Sequence, residues 1–258
     1  LPFTKDEWIK SMELDPKIFY ADKVKNFYNN CNYEPVDIKT LQIKPHFIAI
    51  DTETYNENAN LICMCNSENE NILLRENNSA KPFTINEYFN YLINCHADLT
   101  NVAFMCWNLK FDASIILKSL PEDILSILDQ EGEVLYNGIK IRYIPKKCLI
   151  LAHKKRHKTV RIYDAMQFYI SSLDEASETY INTSKKYTGI YQDKKFPNQI
   201  DKDEMNLIVE YCKLDCQLTS QLMDLWVNKF HDSFKFYPKQ YYSVGAIAVT
   251  YVKTQIED

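Results

Sequence analysis

Four carboxylates stand where the hydrophobic pattern calls for something else. Asp51 and Glu53 close the apolar run Phe47–Ile50, and residues i and i+2 of a strand share a face. Two carboxylates side by side repel each other and resist desolvation, and a divalent cation removes both problems at once. For a lone Asp-x-Glu, a polar strand end at the surface is the commoner explanation. Asp112, in Asn108-Leu-Lys-Phe-Asp112, follows the apolar run Val102–Cys106 and opens a helix. Alone it reads as a helix N-cap or first-turn acid. Asp215 falls on the stripe Leu207, Ile208, Tyr211, Leu218 and Leu222 of a long helix. A carboxylate on the core face in mid-helix is costly unless it is paired or metal-bound. The i, i+4 spacing also sets the Tyr211 hydroxyl beside Asp215. Hard carboxylate oxygens suit Mg²⁺ or Mn²⁺. Two such ions about 3.5–4 Å apart can activate water and stabilise both charge at phosphorus and the leaving oxygen in phosphodiester hydrolysis.

These acids need elements to hold them. His46–Asp51 is apolar on both faces and reads as a central buried strand. Asn60–Cys65, Asn71–Arg75 and Val102–Cys106 read as further strands. Thr84 and Glu87 form a capping-box pattern ahead of a helix carrying Ile85, Tyr88, Phe89, Leu92 and Ile93 on one face. Asp112–Leu128 reads as helix, broken near Pro121, with Ser119 and Glu122 offering a second capping box. Asn137-Gly138 is a strong hairpin signal between Glu133–Tyr136 and Ile139–Ile144. Cys148–Ala152 and Thr159–Tyr163 read as a second hairpin, tipped by His153-Lys-Lys-Arg-His-Lys158. From Ser172 the chain is mostly helical. Asp201 and Glu204 cap a long helix to about Phe230, and 241–257 suggests one more. Strands followed by helices fit an α/β or α+β domain.

In order, the chemistry-bearing residues read Asp-x-Glu on a strand, Asn-x-x-Phe-Asp at a strand-to-helix junction, and Tyr-x-x-x-Asp on a helix. That series resembles the DEDD exonucleases of the DnaQ-like, ribonuclease H-like superfamily, in the variant with Tyr in the last motif. Ala49-Ile-Asp-Thr-Glu-Thr54, Trp107-Asn-Leu-Lys-Phe-Asp112 and Tyr211-Cys-Lys-Leu-Asp215 look like the three exonuclease motifs of family B DNA polymerases. Asn108-Leu-Lys-Phe-Asp112 and Ser172-Leu173 are most similar to the protein-primed phage and plasmid branch. The resemblance covers roughly residues 45 to 230. It implies an α/β, ribonuclease H-like fold: a mixed central sheet flanked by helices, with a β-hairpin insertion. Residues 1–45 would be an N-terminal extension, 46–230 the exonuclease domain, and 231–258 a helical segment leading towards a polymerase domain. No polymerase motif appears, although Tyr242-Ser-Val-Gly-Ala-Ile-Ala248 resembles the stretch that joins the two parts in that family.

The resemblance also implies roles. Asp51 would bridge two divalent ions, Mg²⁺ or Mn²⁺. Glu53 and Asp215 would hold the ion that activates water, Asp112 the other, and Tyr211 would orient that water. Thr52, Asn108, Phe111, Ser172 and Leu173 fall at positions that contact DNA in the family. Each softer match has a structural alternative: a turn Asn, a core Phe, a helix N-cap for Ser172 and a core Leu for Leu173. Lys194 and Lys195 fall where the branch carries a catalytic Lys, but a solvated basic loop fits their surroundings better. The implied activity is 3′–5′ hydrolysis of single-stranded DNA to nucleoside monophosphates. The implied partners are a DNA 3′ end and a polymerase domain in the same or another chain. An RNA-directed relative and a catalytically silent nucleic-acid-binding module are the competing readings.

Composition narrows the classes. The chain has 258 residues, 13% aromatic and 25% charged, with 18 Tyr and 13 Phe, which argues against disorder. Only 4 Gly leave no glycine-rich phosphate loop. The formal charge of −5 is unusual for a nucleic-acid binder, but two bound divalent ions would bring it close to neutral. Lys154, Lys155, Arg156 and Lys158, with Lys146 and Lys147 nearby, could track phosphates, or form a solvated hairpin tip. The 8 Cys include no CxxC pair and read as reduced, mostly buried residues of an intracellular protein. Asp164 ends an apolar run and reads as structural. No apolar stretch suggests a membrane span, and no basic-then-apolar leader suggests secretion.

Overall fold

The computed structural model describes residues 41–256 apart from 56–57, 69, 77–82, 97–98 and 184–201. Residues 1–40 of the expected lead-in at 1–45, Lys194, Lys195 and the Asp201 cap lie outside these residues. A mixed sheet runs in the order β3-β2-β1-β4-β8-β7-β6-β5. Its strands are β1 (His46–Tyr55), β2 (Asn58–Cys65), β3 (Asn71–Glu76), β4 (Val102–Cys106), β5 (Glu133–Tyr136), β6 (Ile139–Ile144), β7 (Cys148–His153) and β8 (Lys158–Asp164). β1, β2 and β3 form an antiparallel meander. β4 and β8 then add parallel to β1. This is the mixed central sheet that the sequence implied. The two hairpins do not stand apart from it, because β7, β6 and β5 continue the same sheet outward from β8.

Both faces of β1 are covered over Phe47–Ile50, which is why that run is apolar throughout. Ile48 and Ile50 face a cluster with Ile62, Met64, Phe104 and Cys106. That side is covered by α1 (Ile85–Asn94), α2 (Leu109–Leu117) and α3 (Glu122–Glu131). Phe47 and Ala49 point the other way, towards Met223, Val227, Cys212 and Cys216. Those four belong to α5 (Lys202–Phe234), against which α4 (Leu173–Ile181) packs through Leu173, Leu218 and Leu222. The last helix, α6, spans Val244–Ile256. No helix among the described residues is long and apolar enough to cross a membrane.

Local signals hold in most places. The Thr84–Glu87 capping box forms, and Asn137 and Gly138 take φ of 47° and 80°, as a tight hairpin turn requires. The second expected box does not form. Pro121 is the N-cap of α3, while the Ser119 hydroxyl donates back to the Ile116 carbonyl of α2. The buried face of α5 keeps Ile208, Leu218 and Leu222 of the expected stripe but is wider than it. Ile208, Val209, Cys212, Cys216, Met223 and Val227 are buried, whereas Leu207 is 42% exposed.

α5 is stitched to the sheet at four-residue spacing. Cys212 Sγ lies 3.6 Å from the Asp51 carbonyl oxygen, and Cys216 Sγ lies 3.4 Å from that of Cys63. The Ser220 hydroxyl accepts from the Ala49 N–H and donates to the Cys65 carbonyl, both at 3.0 Å. Gln221 adds a bond to the Ser67 carbonyl at 3.1 Å. Three small side chains in a row let the helix approach β1 and β2 closely, and this fixes where Tyr211 and Asp215 sit.

Candidate active site

The carboxyl ends of β1, β4 and β8 lie together because these strands are parallel. In open α/β sheets this is the end where ligands bind. Pairing of β1 with β4 stops at Ala49 and Met105, so Asp51 and Glu53 run on beyond the end of β4. A bulge in the β1–β2 ladder follows immediately, between Glu53 and Thr54. Asp51 and Glu53 share the face that looks towards α5, as alternation dictates.

Asp112 comes from the opposite side, on the first turn of α2. It is 1% exposed, and its carboxylate accepts the Thr52 hydroxyl at 2.8 Å. Asp215 comes from α5, one turn after the half-buried Tyr211. The four acids are close enough to feel one another. Asp51 is held well above the ordinary carboxylate range, first by burial and then by the charges of Glu53, Asp215 and Asp112. Burial pushes Asp112 up to about 7, against the pull of its hydrogen bonds to Thr52 and backbone N–H groups. Negative charge gathered and desolvated in this way is what a divalent cation would relieve. The donor set fits a hard ion. Among the described residues, donor atoms of Asp51, Glu53 and Cys212 lie within 4.8 Å of one another.

The substrate-contacting candidates divide. Asn108 is exposed and left-handed, with φ 61° and ψ 60°, and its carboxamide does not cap α2. Phe111 is 47% exposed, so it is not the core Phe of the structural alternative. Thr52 is instead buried, its hydroxyl spent on Asp112. It faces away from Asp51 and Glu53. Ser172 caps α4 through a complete capping box with Glu175, and Leu173 is buried in the α4–α5 contact. Both make the contacts of the structural alternatives that their sequence also allowed.

Two neighbours of the site are not marked as chemistry by the sequence. Cys212 is one helical turn before Asp215, a spacing that could have placed it here. Asp164 ends β8 beside Cys106, by the same signal that marked Asp51 on β1. Its carboxylate accepts the Met166 N–H at 3.1 Å, and further backbone bonds from Asn108 and Leu109 lower a pKa that burial raises. It anchors the turn that presents Asn108 and Phe111. The basic hairpin tip lies elsewhere. Lys158 begins β8 and Asp164 ends it, so the tip is at the opposite end of the sheet from the acids. Lys146 and Lys147 are at the acid end, where the Lys147 carbonyl accepts the Asp164 N–H at 3.2 Å.

No family model and no curated protein sequence matches the chain. Solved structures of phi29 DNA polymerase are similar in fold. The ternary complex with primer-template DNA and incoming nucleotides aligns at 16% identity and a TM-score of 0.45, over 83% of this chain and 34% of that one. An orthorhombic crystal form gives 18% and 0.46, over 73% and 32%. A complex with single-stranded DNA gives 14% and 0.45, over 76% and 33%. The chain thus spans about a third of the length of each.

Proposed function

We propose that residues 46–230 form a metal-dependent 3′–5′ exonuclease that shortens single-stranded DNA, the proofreading type of activity associated with family B DNA polymerases. The observation that carries this reading is the meeting of Asp51, Glu53, Asp112 and Asp215 at one end of the sheet, with Asp51 feeling the other three charges. Three separate segments supply them, in the order of the exonuclease motifs. These four would hold two Mg²⁺ or Mn²⁺ ions, which when bound activate a water and stabilise charge at phosphorus and on the leaving oxygen.

The rest is done by the chain. Thr52 fixes one Asp112 oxygen by its 2.8 Å hydrogen bond, so Asp112 presents a preset orientation. Tyr211 sits one turn from Asp215 and orients the attacking water through its hydroxyl. A phenol with a pKa of about 10 is a poor base at neutral pH, so orientation is its role. Phe111, exposed beside Asp112, packs against a terminal base. Asn108, held open by the left-handed turn, is placed to hydrogen-bond the same nucleotide.

The test is digestion of 5′-labelled single-stranded DNA with Mg²⁺ or Mn²⁺, beside an EDTA control and Asp51→Ala protein. A ladder shortening from the 3′ end, absent from both controls, is expected. Faster loss of an RNA oligomer of the same sequence would reassign the substrate. No cleavage of either by folded protein would leave a silent nucleic-acid-binding module.

A further inference from the structure

We propose that Cys212 adds a soft sulfur donor to the carboxylate centre, making it a site for thiophilic divalent ions of the zinc and cadmium class that compete with Mg²⁺ or Mn²⁺. The inference rests on the reading of Asp51 and Glu53 as metal ligands. One donor atom from each of Asp51, Glu53 and Cys212 lies within 4.8 Å of the others. Tetrahedral zinc bonds of about 2.0–2.3 Å place donor atoms about 3.3–3.5 Å apart, so small side-chain rotations would complete the triangle. The three come from two well-packed elements. Cys212 is fully buried on α5, its sulfur 3.6 Å from the Asp51 carbonyl oxygen.

Sulfur at this place changes which ions the site prefers. Mg²⁺ takes oxygen ligands and keeps its waters, so it gains nothing from a thiol. Zinc and cadmium gain a strong bond to sulfur. On binding, the S–H bond breaks, its proton passes to solvent and a metal–sulfur bond forms, with no change of oxidation state. Three other thiols lie in the same cluster, those of Cys63, Cys65 and Cys216. Cys63 stands opposite Asp51 in the β1–β2 register, and Cys216 is one turn further along α5. Among the described residues, however, only the set containing Cys212 brings three donors of this kind together.

The full-length chain, stripped of metal with a chelator, is titrated with Cd²⁺ while the ultraviolet sulfur-to-cadmium charge-transfer band is followed. A band saturating at a single equivalent is expected, and its loss in both Cys212→Ser and Cys212→Ala. Glu53→Gln should keep the band but weaken Cd²⁺ affinity at least about tenfold, the lower limit of what even a supporting residue costs a metal site. Zn²⁺ should erase the wild-type band at far lower concentration than Mn²⁺ does, a result that needs no variant to fold. The proposal fails if the band persists without the Cys212 sulfur, disappears in Cys63→Ser instead, yields to Mn²⁺ as readily as to Zn²⁺, or never forms. Mg²⁺-supported DNA cleavage by the wild-type chain is scored separately. Cleavage without the band removes the sulfur donor alone, and the band without cleavage removes the nuclease reading alone.

Discussion

Asp51 and Asp112 bind protons more tightly in the folded chain than an ordinary carboxyl does, because burial and neighbouring charge oppose ionisation. The stability that follows is complete below the unfolded value of about 3.9. It is lost as pH rises through the folded value, about 7 for Asp112. The chelator-treated protein should therefore melt at a lower temperature near about pH 8 than near about pH 5, and Mg²⁺ or Mn²⁺ should restore the difference at the higher pH. Calorimetry in EDTA decides this, and a flat profile would mean that the acids do not share one site. Tyr211→Phe should keep metal binding but slow single-turnover cleavage by about ten- to a hundredfold, since only the orienting hydroxyl is gone. An unchanged rate would remove Tyr211 from the chemistry. The acids were legible in the sequence because each interrupts an apolar pattern. Cys212 was not, because a buried Cys has an ordinary structural explanation that sequence cannot set aside.

The elements that hold the site were legible for a different reason. Strand and helix periods are strong where one or both faces are buried, and β1, β2, β4 and α1 fall close to where their patterns place them. The buried face of α5 keeps Ile208, Leu218 and Leu222 of its pattern, loses Leu207, and adds residues that meet the sheet, Cys and Ser among them, chosen for size and hydrogen bonding. Ser220 shows the consequence. Its hydroxyl satisfies both the Ala49 N–H and the Cys65 carbonyl, each at 3.0 Å. Ser220→Ala should cost about 1–3 kcal/mol, the penalty for stranding buried polar groups. Denaturant melts would show it, and a loss well below that range would mean that the ladder closes without the hydroxyl. Ile170 offers the opposite case. A β-branched residue at φ 55° is strained, and this one is 87% exposed, so its side chain returns little. Ile170→Asn, which tolerates the left-handed region, should stabilise the chain by about 1 kcal/mol. Destabilisation would show that the side chain has a packing role after all.

Across the whole molecule, strand direction separates charge from chemistry. The run His153–Lys158 is the densest cluster of cations in the sequence, and one-dimensional pattern makes it the obvious phosphate track. β8 runs parallel to β4, however, so its carboxyl end lies at the acids and its amino end, with the hairpin tip, lies away. Its 7 residues, at about 3.3 Å each, put roughly 20 Å between the two ends. A 3′-terminal trinucleotide seated at the acids has no means of touching the tip, whereas Lys146 and Lys147 border the strand end that carries Asp164. Replacing Lys154, Lys155 and Lys158 together by Ala should therefore leave kcat and KM for a trinucleotide unchanged. Replacing Lys146 and Lys147 should raise KM for single-stranded DNA and lower its salt dependence, by about 0.7 in the logarithmic slope for each phosphate that is no longer neutralised. Steady-state kinetics on short and long oligonucleotides at several salt concentrations separate the two ends. A KM that rises for the trinucleotide on changing the tip would place the DNA against the far end of the sheet, and with it would fall the assignment of the strand path to the carboxyl ends of β1, β4 and β8.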